Sequence, residues 1–268
     1  MILNFLKKVP AGMMVIPLLL GSLIVTIFPN AFEIGGLTAA VFSSAGTNTL
    51  LGAQLFCMGT ALSVKDMPKV LKRGGVLLLA KFAIGAAIGI LVGKVFGAAG
   101  FLGLTPLAII CAVTNSNGSV YLTLMGEYGD EADCGCFPLL ALNDGPFFTL
   151  VALGTGINLT NVIKGGFPGI LLGLITVFVG GGFILLCDKF ITRRPGYAAW
   201  AVATTAGNAV AVPAAVALID TAWEPYVATV TVQVAASVVV SCILAPIITS
   251  WWAKKHGCPK MPLEGQEL

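Results

Sequence analysis

The sequence predicts an all-α polytopic membrane protein with about eight transmembrane spans, and three observations carry this prediction. Of the 268 residues, 57% are hydrophobic and only 10% are charged, with a mean hydropathy of +0.96. A soluble domain carries about 25% charged residues. The apolar residues form continuous runs of bilayer-spanning length, rather than the alternating pattern of a β-barrel. Two of these runs are interrupted by small polar residues, which is typical of transporters.

The predicted spans follow one another at short intervals. The first begins after two lysines and resembles a signal peptide, but it is long enough to cross the bilayer and no small-residue cleavage site follows it. We therefore interpret it as the first helix. In chain order the spans cover residues 10–28, 47–64, 74–97, 102–125, 137–156, 166–187, 197–219 and 227–252.

Two spans are predicted to be broken helices. Residues 114–119, with the sequence TNSNGS, interrupt the fourth span, and residues 203–209, with the sequence ATTAGNA, interrupt the seventh. Polar side chains and loosened backbone are costly in lipid unless they are buried in protein or line a watery cavity. Broken helices at matching places in two halves indicate the binding site of a secondary transporter.

An internal repeat indicates that the chain consists of two related halves. Residues 58–64 (MGTALSV) parallel residues 153–159 (LGTGINL), and each copy leads into a Gly-rich helix and then into a broken one. The copies start three spans apart, an odd number, so they must enter the membrane in opposite directions. We expect a single transporter domain with inverted repeats at about 47–136 and 147–252, followed by a cytoplasmic tail at 253–268.

The basic residues predict the orientation. Eight spans place all four basic groups on one side of the membrane, so both termini are expected in the cytoplasm by the positive-inside rule. The acidic stretch 127–133 falls on the same side, and we interpret it as a solvated loop. The basic groups are Lys7 and Lys8; Lys65, Lys69, Lys72 and Arg73; Lys189, Arg193 and Arg194; and Lys254, Lys255 and Lys260.

Several segments, taken together and in order, resemble the 2-keto-3-deoxygluconate permease family over nearly the whole chain. The resemblance implies a proton symporter of the cell inner membrane that imports 2-keto-3-deoxygluconate, a sugar acid. It also implies a fold like that of the bile acid:sodium symporters, with ten helices in two inverted repeats and a crossing pair of broken helices. The segments are KVPAGMMVIPL at 8–18, FCMG at 56–59, NGSVY at 117–121, Gly145-Pro146, and LAPIITSW at 244–251.

The chain departs from the family in length. It is shorter by about two helices, and the missing sequence falls between Pro146 and Leu153. Loss of two spans preserves the odd offset between the repeats and the charge topology, but it leaves the outer panel of helices incomplete. Either a homo-oligomer compensates for the loss, or the shortened chain is a binding subunit or a defective member that does not transport.

The substrate site is predicted where the two breaks meet. An anionic sugar needs its carboxylate held, and no Arg is expected at membrane depth. The free N–H groups and the positive dipole end of a broken helix can hold it instead, while amides and hydroxyls bind the sugar hydroxyls. The alternative is that these small polar residues only join helices. The predicted residues are Asn115, Ser116, Asn117, Gly118, Thr204, Thr205 and Asn208.

Asp144 is the predicted proton carrier, with Asn143 beside it. It is the one acid well inside an apolar span, and intramembrane acids are functional by default. The alternative is that Asp144 caps the half-helix that begins at Gly145-Pro146. Lys81 is expected to extend to the cytoplasmic edge of the membrane, with an ion pair to Asp144 as the alternative.

Other site classes receive little support. Gln54 and Gln233 are weak candidates for a sodium site, which would make the chain a sodium-coupled carrier of another small organic anion. The cysteines and the single His, His256, do not form a metal-ligand pattern, and no catalytic pair or phosphate loop is present. We therefore expect no enzyme activity, no cofactor, no metal and no nucleic-acid partner. The expected partners are the sugar acid, protons or sodium, and the lipid bilayer.

Overall fold

The computed structural model describes residues 64–141 and 159–263, together with residue 20 and the short stretches 23–24, 27–28, 30–31 and 35–41. This part of the chain is helical, and its only β-structure is a pair of isolated bridges, Phe101 with Leu104 and Cys258 with Met261. Four helical segments are long and apolar enough to cross a membrane: Met67–Phe96, Pro106–Tyr128, Gly165–Thr192 and Thr221–His256.

The first described helices are a short α1 (Gly36–Val41) and the long α2 (Met67–Phe96), which follows a 3-10 turn at Val64–Asp66. A proline in the first turn of α2 is well placed, because its missing N–H has no intrahelical partner there. One side of α2 exposes large apolar residues suited to lipid, including Leu79, Phe82 and Leu91. The opposite side is buried, and it faces the broken helix that follows.

Two glycines allow α2 to approach that broken helix closely. A Cβ atom at Gly85 would lie 2.8 Å from the backbone nitrogen of Thr114, and one at Gly89 would lie 2.3 Å from the side chain of Ile110. Any larger residue at these positions would force the two helices apart. The backbone of α2 is therefore held directly against the end of the next half-helix.

The fourth predicted span is broken as expected. It consists of α3 (Pro106–Thr114) and α4 (Gly118–Tyr128), separated by extended backbone at 115–117. Thr105 caps α3 by accepting a hydrogen bond of 3.1 Å from the backbone N–H of Ala108. Asn117 caps α4 in the same way, accepting from the N–H of Val120 at 3.1 Å. Cap side chains satisfy N–H groups that a helix leaves without partners, so Asn117 sets where the second half-helix begins.

Two short helices, α5 (Glu131–Gly135) and α6 (Phe137–Ala141), end the first described stretch. After the gap, α7 (Leu159–Leu174) is interrupted at Gly166, which has a φ of 55°. It continues through a π-helical turn (Ile175–Gly180), α8 (Gly181–Cys187) and a second π-helical turn (Asp188–Thr192). The sixth predicted span is thus present, in a segment that runs from Gly165 to Thr192.

The seventh predicted span is also broken. Helix α9 (Tyr197–Val202) stops before non-helical residues 203–206. A 3-10 turn (Gly207–Ala211) and α10 (Val212–Ile219) complete this stretch, which is not among the four candidate membrane-spanning segments. The order of a long helix followed by a broken helix therefore occurs twice in the described chain, as the repeat predicts.

The last helix, α11 (Val227–His256), follows a 3-10 turn at Thr221–Tyr226 and lies at the centre of the fold. It packs along α7, where small residues such as Gly169 and Ala236 allow close approach, as in many membrane helix pairs. It also contacts α9, α3 and α4. The eighth predicted span, 227–252, is therefore present and extends four residues into the predicted tail.

The described residues do not test the other predicted spans or the inverted repeat. The spans at 10–28 and 47–64 and most of the span at 137–156 lie outside the described residues. For that reason neither the number of eight spans nor the inverted relation of the two halves follows from the described helices.

Candidate functional site

The two breaks meet in space, 87 residues apart in sequence. The backbone N–H of Asn117, at the start of α4, donates a hydrogen bond of 2.9 Å to Oγ1 of Thr204 in the second break. We call the region around this contact the crossing, defined by residues 115–118 and 203–206. Six of the seven predicted substrate residues lie within it. The seventh, Asn208, lies in the following 3-10 turn, and its side chain is outside the described part of the structure.

Most of the crossing is buried. Thr204 and Thr205 have no exposed surface, and Asn115 and Ser116 are nearly as inaccessible. Buried polar groups are costly without hydrogen bonds, and partners are present here. The Asn115 side chain donates to the carbonyl of Cys111 at 3.1 Å, and the Asn117 amide lies 3.5 Å from the sulfur of Cys242. The crossing is therefore closed and internally satisfied in this structure.

Two serines of α11 complete the polar surroundings. The N–H of Thr205 donates to Oγ of Ser241 at 2.9 Å, and the Thr205 hydroxyl lies 2.8 Å from the hydroxyl of Ser237. The two serines are one helical turn apart, so they point the same way. These serines are not among the site residues predicted from the sequence. The signal available was two hydroxyls at i and i+4 inside the apolar middle of α11.

Lys81 also reaches the crossing, which contradicts the expectation that it extends to the membrane edge. Its side chain is buried, with 1% exposed, and Nζ donates a hydrogen bond of 2.8 Å to the carbonyl oxygen of Thr204. The reason is the position of Lys81 on the buried face of α2, one turn before Gly85, where α2 lies against Thr114. The alternative partner, Asp144, is outside the described residues, as are Asn143 and Gln54.

The helix ends give the crossing its electrostatic character. The N-terminus of α4 lies at the crossing with its positive dipole end, and the backbone N–H of its cap residue Asn117 donates to Thr204. Helices α3 and α9 both end at the crossing, and the Lys81 ammonium donates to the carbonyl oxygen of Thr204, just beyond the end of α9. A helix N-terminus together with an ammonium group favours an anion.

Gln233, the described member of the weak sodium pair, lies elsewhere. It is buried on α11, and its Nε2 donates to the carbonyl of Gly103 at 2.7 Å, next to the start of α3. Its contact thus joins α11 to the loop before the first broken helix. A sodium role for Gln54 and Gln233 stays untested, because Gln54 is outside the described residues.

A second polar region contradicts the prediction of a solvated acidic loop. Asp133 has no exposed surface and forms ion pairs with Arg194 and, at 3.1 Å, with Arg73. The Tyr197 hydroxyl donates to it at 2.6 Å. Asp133 is buried because it caps α5 together with Asp130, which turns both carboxylates toward α2. We call this region the acid–base cluster, defined by Arg73, Asp130, Asp133, Asp188, Arg194 and Tyr197.

The other acidic residues of that loop differ in their exposure and in their hydrogen-bond partners. Asp130 is partly exposed and accepts from Arg73 at 2.7 Å. Burial raises the pKa of the Asp130 carboxyl, but the hydrogen bonds and positive charges of its neighbours outweigh burial, so that the net pKa is lowered. Glu127 accepts a hydrogen bond from the neighbouring Tyr128 hydroxyl, and Glu131 is exposed, as the sequence suggested.

Two open cavities lie away from the crossing. One of about 600 Å³ is bordered by Lys69, Asp130, Glu131 and Lys260, next to the acid–base cluster. The other, of about 410 Å³, lies between α7 and α11 near Gln233. Neither is lined by a residue of the crossing, in agreement with its burial.

Apolar helices, two of them broken and in contact at their breaks, indicate a multi-pass helical membrane protein of the secondary-transporter class. The sequence model of 2-keto-3-deoxygluconate permeases matches residues 3–156 and 151–258, nearly the whole chain. The chain therefore belongs to the 2-keto-3-deoxygluconate permease family. Its relatives are permeases and not enzymes.

Individual relatives agree over almost their full length. The chain is 40% identical to 2-keto-3-deoxygluconate permease 1 of Salmonella typhimurium, with 94% of this chain and 95% of the relative covered. It is 31% identical to the permease of an Enterobacter species (98% and 97% covered) and 30% identical to that of Bacillus subtilis (93% and 93%). No solved structure gives a significant match.

The comparison also bears on the predicted shortening. The alignment with the Salmonella permease runs over 303 positions, more than the 268 residues of this chain, so the relative contains segments that this chain lacks. The two matched parts of the family model overlap at residues 151–156. That junction lies beside the stretch between Pro146 and Leu153, where the sequence analysis placed the missing helices.

Proposed function

We propose that the chain imports 2-keto-3-deoxygluconate across the cell inner membrane as a proton symporter and binds this sugar acid at the crossing. The relatives named as permeases of this compound support the substrate. The observation that carries the site is the hydrogen bond between Asn117 and Thr204, because it brings two otherwise costly chain breaks to one buried place.

The chemistry of the crossing suits a small hydroxylated anion. Binding sites of this kind are enclosed and hold their ligand with a few well-placed polar groups. Asn115, Asn117, Thr204 and Thr205 offer amides and hydroxyls for the sugar hydroxyls. The N-terminus of α4 offers its positive dipole end for the carboxylate.

The contacts of the closed crossing would have to be exchanged for contacts with the substrate. The bonds that Asn117, Ser237 and Ser241 make with the two threonines are single hydrogen bonds between neutral groups, each worth only about 0.5–1.5 kcal/mol net. A substrate that offers equivalent bonds can replace them at little cost. Access then requires one packed group of helices to move against the other, as in carriers that alternate their access around a fixed midplane site.

A binding subunit that does not transport is the second candidate function, because the relatives contain segments that this chain lacks. Without them it would bind the sugar acid but would not move it, unless a homo-oligomer supplies the missing surface. A sodium-coupled carrier of another small organic anion is the further alternative, and it differs only in the coupling ion and the ligand.

Uptake into proteoliposomes tests the proposal. The purified full chain is reconstituted, and accumulation of labelled 2-keto-3-deoxygluconate is followed with an inward proton gradient, with an inward sodium gradient and with neither. Accumulation that requires the proton gradient supports the proposal. Accumulation driven only by sodium would overturn the proton coupling, and retained binding without any uptake would identify a binding subunit.

Asp144 is proposed to carry the coupled proton. Asp144→Asn removes the titrating group while preserving shape, so we expect gradient-driven accumulation to be abolished while exchange of labelled for unlabelled substrate persists. Both are measured in the same proteoliposomes, with Glu224→Gln at an exposed position as the control. Full accumulation by Asp144→Asn would exclude Asp144 as the carrier.

A further inference from the structure

Helix α11 forms a wall of the crossing that carries hydroxyl groups. Ser237 and Ser241 have no exposed surface, and both contact Thr205 in the second break. One residue beyond Ser241, the sulfur of Cys242 lies 3.5 Å from the side-chain amide of Asn117 in the first break. Helix α11 therefore contacts both breaks, and its two serines lie where we propose that the substrate binds.

The hydroxyl of Ser241 is already used within the protein. Its oxygen accepts a hydrogen bond of 2.9 Å from the backbone N–H of Thr205. Its hydrogen is donated to the carbonyl oxygen of Val238 in the same helix, at 3.2 Å. Ser241 thus holds the backbone of the second break in place, and it has no further hydrogen to donate to a ligand.

The hydroxyls of Ser237 and Thr205 are used differently. Their oxygens lie 2.8 Å apart, and either hydroxyl can be the donor. Each hydroxyl has one hydrogen to donate and two lone pairs that accept. One hydrogen joins the pair, and neither hydroxyl makes a further hydrogen bond to the part of the chain that the structure describes. The pair therefore retains one hydrogen and several lone pairs, at a buried place where an unused donor is costly.

We propose that Ser237 makes the site specific for a hydroxylated acid, by binding a hydroxyl of the substrate together with Thr205. This inference rests on the proposed function, because it assumes that the sugar acid binds at the crossing. A sugar hydroxyl both donates and accepts, and the pair offers a hydrogen and lone pairs on adjacent oxygens. A site built to bind a substrate hydroxyl rejects an analogue that lacks it, because the polar groups of the site are then left without partners.

The test compares the sugar acid with an acid that has no hydroxyls. The analogue is 2-oxohexanoate, which has the same carbon chain, carboxylate and keto group as 2-keto-3-deoxygluconate. Equilibrium binding of both acids is measured on the purified full chain in detergent, for the unaltered protein and for Ser237→Ala. We expect Ser237→Ala to weaken binding of the sugar acid by about tenfold, as for one lost hydrogen bond. Binding of 2-oxohexanoate should change little, so the preference for the hydroxylated acid falls by the same factor.

Four further variants separate the hydroxyl of Ser237 from a structural role. Ser241→Ala removes the acceptor of the Thr205 N–H, so we expect both acids to bind more weakly by a similar factor. Thr249→Val removes a buried hydroxyl about 18 Å further along α11 and should leave both affinities unchanged. Ser237→Thr keeps the hydroxyl and should retain the preference, even if its added methyl group weakens binding of both acids. Ser237→Cys donates only weakly, and it carries the test if Ser237→Ala does not fold.

The outcomes distinguish this inference from the function on which it rests. Equal weakening of both acids in Ser237→Ala would show that Ser237 only holds the second break in place, and unchanged binding would remove Ser237 from the site. Loss of the preference in Ser237→Thr, or equal binding of both acids by the unaltered chain, would likewise overturn the inference. Failure of the unaltered chain to bind the sugar acid would overturn the proposed function itself.

Discussion

The crossing and the acid–base cluster are both buried polar regions, but the crossing consists mainly of neutral groups and the cluster mainly of charged side chains. The crossing joins neutral backbone ends, hydroxyls and amides, with the single ammonium of Lys81 among them. The acid–base cluster joins full charges, with two arginines directed at Asp133. Neutral contacts of about 0.5–1.5 kcal/mol can be exchanged for a ligand. A buried charge that loses its partner is far more costly, so the cluster is suited to holding helices together.

The locations of the two regions agree with this division. The cluster ties Arg73 near the start of α2 to the loop between α4 and α5 and to the segment between α8 and α9. It therefore joins the start of α2 and the end of the segment Gly165–Thr192 to chain next to each of the two broken helices. The crossing lies where the broken helices themselves meet. We infer that variants of the cluster change stability, whereas variants of the crossing change binding and transport.

The largest expected effect comes from breaking the cluster. Arg194→Met leaves the buried Asp133 without its closest cation, and we expect the free energy of unfolding to fall by about 3–5 kcal/mol. Thermal unfolding in detergent measures this. Arg193→Met, at the exposed neighbouring position, should stay within about 0.5 kcal/mol of the unaltered protein.

The same variant also tests the separation of the two regions. The fraction of Arg194→Met that remains folded should bind the sugar acid with unchanged affinity. A stable Arg194→Met protein that had lost substrate binding would contradict the division, because the cluster would then belong to the transport site.

The next largest effect is expected at the crossing. Asn117→Ala removes a side chain that caps α4 and faces the proposed substrate, and we expect uptake to fall by about tenfold or more. The lost cap should cost only about 1 kcal/mol of stability, so the amount of protein in the membrane should hold. Uptake and membrane level are measured together, with Thr123→Ala on the exposed side of α4 as the control. Uptake equal to that of Thr123→Ala would remove Asn117 from the site.

The difference between the regions also explains what could be predicted from the sequence. The breaks at 115–117 and 203–206 were predictable because small polar residues stand out inside apolar spans. The four described spans were predictable from length and hydropathy for the same reason. Their meeting at Thr204 was expected only through the idea of a crossing pair, and the contact with Asn117 confirms that the two breaks lie together.

Other features depend on long-range packing that local sequence does not record. Asp133 lies among three other acids in a short loop, a pattern typical of a solvated surface. The cost of burying its charge is offset by ion pairs with Arg73 and Arg194, which lie about sixty residues away in either direction. Lys81 was likewise misplaced, because its depth depends on which face of α2 the neighbouring helices cover. Ser237 and Ser241 were not predicted as site residues, because two hydroxyl side chains in a long helix are common.

The smallest expected effect tests whether the negative charge of Asp130 stabilises the folded protein. The pKa of Asp130 is lowered in the folded protein, since the bonds and charges of its neighbours outweigh the effect of burial. A lowered pKa means that the stabilisation is present above the usual Asp value of about 3.9 and is lost as the pH falls through the lower folded value. We therefore expect the contribution of Asp130 to the melting temperature to decline below about pH 4.

Asp130→Asn isolates this contribution, because Asn also caps helices well and only the charge is removed. At neutral pH it should cost less than about 1 kcal/mol, since the Asp130 side chain is partly exposed and its ion pair with Arg73 is screened by solvent. Its melting temperature should then depend less on pH below about pH 4 than that of the unaltered protein. Glu131→Gln, at the exposed neighbouring position, should leave the acid decline unchanged. Parallel curves for Asp130→Asn and the unaltered protein would show that Asp130 acts in the cluster through its cap alone. The charged part of the cluster would then consist of Asp133, Asp188 and the two arginines.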